Sequence, residues 1–494
     1  MSDQLIFPWI SLSLMVLIGT AIWSWRQVLA ERARNGAIVG MAISFLGLVA
    51  AGIEIERGDG RRLYEPLPFL ARWCSGDPLN GLLLPLFGGL TLGMVLIAPR
   101  RKITPQWISG LLILTASTLA AYAADNLAIF ALAWSTTLIP FLDRRFFSQT
   151  EENSVPPAAR IILVVSAVML IAGVALIAIA TPGTSPGASL SMSLPRAGGE
   201  PILYAAFAFV LIAIILRKGL FPAHSWVAPS FEQGPLIPLT LLFNGHLGAF
   251  AIARLTLPLL PDVSAATLPL LGDLGLLTAA YTALLAISER KPRRLLALLA
   301  ISQSSFLVAG LESSNLDAIT GALVHWQVIV VATSALTAVY AAIEARLGAP
   351  LDGKGFLGLA KGAPRLAVFF AIAGLSLVGL PLTLGFSAED LLLHGTLETH
   401  PLLGFILPIV TALNAFNIIR LFASLFLGKP GSIATHLSDA LPRERWVLTA
   451  ALLFLIIGGL FPAFFIHLPA KAAHRLTTTP KSAVESTLKM VTEP

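Results

Sequence analysis

Four side chains in this 494-residue chain carry chemistry that is out of place in its surroundings: Lys218, His246, His325 and Glu389 each stand in or beside a run of apolar residues. An amine, two imidazoles and a carboxylate are groups that take up and release protons, and burial and neighbouring charge set the pH at which each does so. Lys218 ends the almost uninterrupted apolar stretch Ala205 to Leu216 and is followed at once by Gly219-Leu-Phe-Pro222-Ala-His224-Ser-Trp226. A cation beside a Gly/Pro break in a span-length apolar segment is costly in lipid, so it belongs in a protein interior or along a water-filled path. The competing structural reading is a helix-end lysine that snorkels to the interface beside Arg217.

His246 lies within Leu241-Leu-Phe-Asn-Gly-His246-Leu-Gly-Ala-Phe, and His325 within Gly321-Ala-Leu-Val-His325-Trp-Gln. Either ring serves as a proton carrier, or as a neutral hydrogen-bonding contact between helices. Glu389 and Asp390 follow Gly379-Leu-Pro381-Leu-Thr-Leu-Gly385-Phe-Ser-Ala. An acid pair at the end of a span is often simply solvated, but a Gly/Pro-broken helix directly before it points to an internal site. Lys218, His246, His325 and Glu389 are thus read as a proton relay, with His224, Asp390 and Ser135 as secondary candidates. Asp273, Asn414, Asn417 and Arg420 are read as contacts between helices or interface anchors.

The elements that must position these groups are membrane spans. Apolar residues make up 56% of the chain and charged residues 12%, with a mean hydropathy of +0.82, which is the composition of a polytopic membrane protein. Apolar segments fall near 5–25, 35–54, 79–98, 106–124, 126–142, 158–181, 201–218, 236–260, 267–288, 295–311, 317–343, 366–386, 402–427 and 446–468, numbered 1 to 14 below. The first lacks a basic leader and a cleavage site and is read as a retained span. The lone Cys74 excludes an internal disulfide, an iron–sulfur cluster and a cysteine zinc site, and the eight histidines form no HExxH pattern. No nucleotide-binding glycine motif opens a strand–helix unit either, so neither cofactor, metal nor a catalytic centre of its own is expected. A formal charge of +6 is spread over short loops, which argues against nucleic acid as a partner.

Loop charge sets the orientation. The connectors after odd-numbered segments hold Arg26, Arg32 and Arg34; Arg100, Arg101 and Lys102; Arg144 and Arg145; Arg290, Lys291, Arg293 and Arg294; Arg346, Lys354, Lys361 and Arg365; and Lys429, Arg443 and Arg445. These loops are expected on the cytoplasmic side, with both termini outside. Arg196 and the cluster Arg57, Arg61, Arg62 and Arg72 in the second connector run against this pattern and have no explanation in the sequence.

Segment 7 carries Gly219-Leu-Phe-Pro222 beside a base and segment 12 carries Gly379-Leu-Pro381 before an acid, and each is the fourth of a block of five, 4 to 8 and 9 to 13. Broken helices in matching positions expose unpaired backbone groups to a buried polar path, as in transporters. At this point the residues resemble a family. Lys218 with Pro222-Ala-His224-Ser-Trp226, then Glu232-Gln-Gly234-Pro235 and the helix from His246 to Arg254, resemble the signature of the antiporter-like subunits of complex I and of Mrp-type cation/proton antiporters. Arg293-Arg-Leu-Leu-Ala-Leu-Leu-Ala-Ile-Ser302-Gln303, and Gly379-Leu-Pro381 with Gly385-Phe386 and Glu389-Asp390, are similar to further parts of it, so that the match spans roughly 106–427.

The resemblance implies an all-α polytopic membrane protein of about fourteen transmembrane helices, with two inverted five-helix repeats and broken helices 7 and 12. It implies an N-terminal three-helix part (1–105), repeats at 106–260 and 261–427, and a C-terminal helix and tail (428–494). It also implies proton movement along a central line, in which Lys218 resembles a family lysine, His246 falls where chain M has a lysine, His325 falls near a family histidine and Glu389 matches a family Lys/Glu position. Two departures stand out. Ser135, five residues before Pro140, occupies the place of a family glutamate that pairs with the lysine of segment 7, and Ile329 and Thr333 stand where a second histidine and a lysine are expected. The implied function is a proton or cation/proton translocating subunit held among other membrane subunits in the lipid bilayer of a bacterial inner membrane, with any NADH chemistry left to partners. The alternatives are a membrane partner that supplies proton-motive force to a soluble enzyme, as in inorganic-carbon uptake, and a non-conducting scaffold, which Ser135 favours.

Overall fold

Prolines and short polar residues mark where helices begin. Pro78, Pro105, Pro157, Pro201, Pro261, Pro292, Pro364 and Pro442 each occupy a first helical turn, where the missing N–H costs nothing. Asp77, Thr104, Asn126 and Asn315 cap the helices that follow them; Asp317 N, for example, donates to Asn315 Oδ1 at 2.7 Å. The computed structural model describes residues 4–58, 60–65, 73–100, 103–147, 154–180, 190–192, 196, 200–313, 315–351, 353, 355–399, 401–429 and 437–492. Arg72, Arg101, Lys102 and Lys354 lie outside the described residues, as does most of the connector at 182–200.

The protein is an all-α polytopic membrane protein. Among the described residues, ten helices are long and apolar enough to cross a membrane. Shorter apolar helices lie at Trp9–Trp25, Leu127–Leu142 and Pro364–Leu377, and a bent pair runs from Pro442. The middle of the molecule is formed by segment 8 (Leu236–Leu259), segment 10 (Pro292–Glu312) and segment 11 (Leu316–Leu347), which are buried almost throughout. Segments 6 and 9 turn rows of large apolar side chains outward, among them Ile161, Val168 and Ile171, and Leu270, Leu277 and Leu284. Such exposed rows suit contact with lipid tails, against which helix association rests on close packing and hydrogen bonds. Gly321 illustrates the packing: a Cβ there would fall 2.6 Å from Leu392 N, so segment 11 touches the backbone of segment 12.

Several segment bounds differ from the sequence expectation. Segment 12 is two helices, Pro364–Leu377 and Leu384–Thr399, so Glu389 sits inside the second helix and not past the end of the span. Segment 8 is interrupted as well: Leu236–Asn244 stops at Gly245-His246, and His246 adopts a left-handed conformation with φ +37° before Leu247–Ala251 and a π-helical turn at Ile252–Thr256. Segment 14 ends at Leu460, where the chain bends by 85° into a helix at Pro462–Thr492. Of the basic cluster of the second connector, Arg62 finds its reason. Leu63–Tyr64 pairs antiparallel with Ser75–Gly76, and this hairpin carries Arg62 to Asp125, at 2.7 Å.

Segment 12 breaks where its glycine is required. Gly379 has φ +71°, and a Cβ on it would fall 2.3 Å from Glu389 Oε2. Both the backbone conformation and the carboxylate thus demand the missing side chain. Gly379→Ala is expected to destabilise the fold by about 1–3 kcal/mol, the usual range for a strained position. A thermal melt in detergent checks it, and an unchanged midpoint contradicts the account.

Candidate functional site

Segment 7 is helical from Pro201 to Lys218 and stops there because Gly219, at φ +68°, turns the chain out of the helix. After the break at 219–222, the turn Ala223–Trp226 and the helix Val227–Gln233 complete the segment. The break leaves Lys218 at a helix end in the protein interior, only 2% exposed. Its Nζ stands 3.0 Å from His246 Nδ1 and 5.5 Å from the ring centroid of Phe243. The interruption of segment 8 is what aims the imidazole: Tyr122 donates its hydroxyl proton to Gly245 O at 2.5 Å, pinning the turn whose next residue is His246. Snorkelling is thereby excluded, since the amine points inward at a second titratable group.

No carboxylate among the described residues pairs with Lys218. Ser135, at the position of the expected acid, donates to Ala131 O in its own helix at 2.7 Å. The side chain that faces segment 5 is Arg217, whose Nη2 bonds Thr137 Oγ1 and whose guanidinium lies 5.3 Å from the Trp134 ring. Arg217 is 5% exposed, and its Nη1 has no hydrogen-bond partner.

From His246 the polar groups continue through segments 11, 10, 13 and 12, which pack on one another. Trp326 sits edge-on to His246 at 5.7 Å, and the adjoining His325 is fully buried beside Gln303 with no well-formed hydrogen bond at either ring nitrogen. Gln303 on segment 10 is likewise buried with its amide unpartnered, while Asn414 donates to Ser302 Oγ at 2.8 Å. Glu389 presses into the notch of Gly379, with Oε1 unpartnered. Buried polar atoms are almost always hydrogen-bonded, so this string of unpartnered ones is where enclosed water is needed. Lys218 and His246 are in direct contact; His325 and Glu389 are reached only across such gaps.

A second row of polar groups joins segments 8 and 11 along the helix that precedes His246. Asn244 Nδ2 donates to Ser334 Oγ at 3.0 Å and Thr333 Oγ1 donates to Asn244 Oδ1 at 3.0 Å, while Thr240 and Thr337 hydroxyls lie 2.9 Å apart. Toward the basic loops the row ends at Arg293, which holds Glu344 through Nε at 2.7 Å and also donates to Glu232 O and Gly234 O. Glu232 is engaged by Lys291 and by Arg294, whose Nη1 lies 3.1 Å from its Oε2.

The secondary candidates fall outside this line. His224 is half-buried, stacked on Phe221 and edge-on to Tyr281, and Asp390 is exposed and 3.5 Å from His394. Asn417 and Arg420 bond carbonyls of segment 9 and its end, as expected of contacts between helices. Sequence reading missed Arg217, Gln303 and the Asn244 row. The Asn244-Gly245 dipeptide is a turn signal that marked the break in segment 8.

Comparison with known proteins adds the family. The family model described as NADH:quinone oxidoreductase/Mrp antiporter, TM, matches residues 124–414. The chain belongs to this family. The NAD(P)H-quinone oxidoreductase chain 4 of Prochlorococcus marinus is 26% identical over 489 residues, covering 92% of this chain and 88% of the relative. A chain in the structure of respiratory complex I from Thermus thermophilus superposes with a TM-score of 0.82 at 22% identity, covering 95% of this chain and 99% of its own. A chain of the Mrp complex from Dietzia sp. gives a TM-score of 0.82 at 19% identity over 96% and 98%. The last two establish a shared fold.

The contact between Lys218 and His246 can be measured directly. Lys218→Met leaves the imidazole unpartnered and His246→Leu strands the amine, so each alone is expected to lower the melting temperature. The double variant is expected to recover much of the loss, a coupling of about 1 kcal/mol. Additive losses would mean the two groups do not interact.

Proposed function

We propose that this chain is a proton- or cation/proton-translocating subunit of a larger membrane assembly, complex I-like or Mrp-like, with Lys218, His246, His325 and Glu389 as its relay. The observation that carries this reading is the buried 3.0 Å contact between Lys218 Nζ and His246 Nδ1, with no carboxylate bonded to the amine among the described residues. A buried structural lysine is ordinarily paired, whereas an amine facing an imidazole holds one mobile proton between two sites.

The transfer itself is simple. A protonated Lys218 donates to Nδ1 of neutral His246, leaving a neutral amine and an imidazolium. His246 Nε2, which has no protein partner, then releases its own proton through water toward His325. The ring is left protonated on Nδ1 and must regain the other tautomer before it can accept again. That reset makes the step a cycle and not an open wire. Gln303, Ser302 and Asn414 carry the water path on toward Glu389, and the row from Asn244 to Thr337 leads from the basic loops to the pair.

We further assign both termini to the outer side of a bacterial inner membrane, on the distribution of basic loops. Segments 4 to 8 and 9 to 13 are taken as the two five-helix repeats, on their matching breaks at 219–222 and 378–383. Neighbouring membrane subunits are the expected partners. A soluble enzyme fed by proton-motive force remains the alternative, and co-purification in mild detergent separates the two.

The test is proton flux into proteoliposomes under an imposed potential. Lys218→Ala and His246→Ala are each expected to reduce flux by about 10²-fold, the lower end for loss of a positioned proton carrier. Equal flux in wild type and Lys218→Ala overturns the relay. Absence of flux in both proteins, each correctly folded, favours the scaffold reading that Ser135 supports.

A further inference from the structure

Segments 2, 3, 11 and 14 do not close completely on one another. They leave a groove of about 700 Å³, walled by Phe45, Gly89, Gly93, Val331, Ala451 and Phe454 among others. Its wall on segment 3 runs from Gly81 to Ile97, a rise of about 24 Å at 1.5 Å per residue. The hydrocarbon of one leaflet is about 15 Å deep, half of a core about 30 Å thick, so the groove takes an acyl chain lengthwise. Two polar side chains stand in its wall, and both are engaged elsewhere. Gln327 Nε2 donates to Phe465 O at 3.4 Å, and Ser334 Oγ accepts from Asn244 Nδ2 at 3.0 Å. Such a wall suits hydrocarbon better than a polar ring.

The two ends of the groove differ in charge. At one end stands Glu56, 3.4 Å from His467. At the other, Trp446 is 78% exposed, and tryptophan is the residue of membrane–water boundaries. Arg443 lies one turn before Val447 of the wall, on the same face of its helix. Arg100, just past segment 3, and Arg34 on segment 2 are close enough to Arg443 for the three guanidiniums to repel one another. Glu31 acts on Arg34, which also donates to Leu96 O at 3.0 Å. Glu444 acts on Arg443, but its Oε2 is taken by Arg346 at 2.6 Å and by Leu441 N at 2.9 Å. Among the described residues no carboxylate forms an ion pair with Arg100 or Arg443.

We propose that this groove seats one anionic phospholipid, with an acyl chain along segment 3 and the phosphate between Arg100 and Arg443. An apolar trough in the membrane-spanning part accounts for the chain, and the arginine end beside Trp446 accounts for the head by charge complementarity. The acidic end at Glu56 fixes the direction, since a phosphate there would meet a like charge. A helix of a neighbouring subunit is the competing occupant, and it would leave the isolated chain indifferent to lipid headgroups. The assignment does not depend on proton conduction.

The experiment reads the melting temperature of the delipidated chain in detergent at fixed ionic strength. Phosphatidylglycerol and phosphatidylcholine with identical acyl chains are added in mixed micelles, with glycerol phosphate as the headgroup without a chain. A saturable rise with phosphatidylglycerol is expected, growing with the logarithm of its concentration above saturation. Each arginine is expected to strengthen binding of an anionic headgroup about fivefold, so phosphatidylcholine needs about 25-fold more lipid for the same rise. Glycerol phosphate is expected to give none. Arg100→Gln and Arg443→Gln are each expected to weaken phosphatidylglycerol binding about fivefold. Ala451→Phe, which fills the groove and keeps the arginines, is expected to weaken it about tenfold, the equivalent of two methylenes kept out. If Ala451→Phe does not fold, the arginine variants and the glycerol phosphate arm decide. Equal responses to the two lipids, a rise with glycerol phosphate equal to that with phosphatidylglycerol, or unchanged affinity in a folded variant overturns the proposal. So does the absence of any response, which is what a groove reserved for a neighbouring subunit predicts.

Discussion

The organisation of the molecule turns on an amine that faces an imidazole where a charged partner is the ordinary solution. Taking an isolated ammonium out of water is far more costly than any single hydrogen bond returns, so the stable condition of the Lys218–His246 pair is one in which charge is scarce. The surrounding helices serve that condition. Segments 8, 10 and 11 close around the pair so completely that bulk water is kept off it, and Phe243 and Trp326 present ring faces and edges to the two groups. Cation–π contact offers partial compensation to a charged amine without supplying a counter-ion that would trap the proton.

Helix breaks stand beside three of the four candidate relay groups, while His325 lies within the unbroken helix Leu316–Leu347. Gly219 ends the first half of segment 7 at Lys218, the Gly245-His246 turn divides segment 8, and Gly379 and Leu382, both with φ +71°, divide segment 12 ahead of Glu389. An unbroken helix satisfies its own backbone and offers a polar path nothing, whereas a broken one frees N–H and C=O groups and points a dipole end at the gap. Leu382 and His246 accept the left-handed conformation without being glycine, a local cost that the packing around them has to sustain.

Membrane class, most segments and two of the three breaks were legible in the sequence, because hydropathy and Gly/Pro punctuation are local signals. Segment 12 was truncated at Phe386 because Ser387, Glu389 and Asp390 end the apolar run, although Glu389 is a half-buried helical residue with its Oε1 buried and Asp390 an exposed one. A window that averages polarity cannot separate two adjacent acids on different faces of one helix. Arg217 and Lys218 pose the same problem: the pair reads as one basic helix end, and only the fold sends one to segment 5 and the other to segment 8. Arg62 of the second connector was opaque for another reason. Its partners Asp77 and Asp125, and the companions Arg254 and Arg475, lie tens to hundreds of residues away, and nothing local announces them.

Charge pairing is distributed unevenly through the molecule, and this bears on how the interior can carry current. Near the basic loops, Arg293 meets Glu344, Arg346 meets Glu444, and Arg294 meets both Glu232 and Glu289. Such pairs fix helix ends but hold no proton ready to leave. In the middle, among the described residues, Lys218, His246 and His325 have no opposing carboxylate in contact. A lysine–carboxylate pair is neutral when the lysine carries its proton, so the charged amine can persist. A lysine–imidazole pair is neutral only when the proton has gone, so the cation is the costly and transient state. In the proposed relay, Ser135 in the place of an acid changes which state waits and which state moves. A membrane potential acts on the transient one, with about 2.3 kcal/mol available per charge and 100 mV over the full span. That is a substantial fraction of a desolvation penalty of several kcal/mol, and it is how an interior without a counter-ion can still be driven.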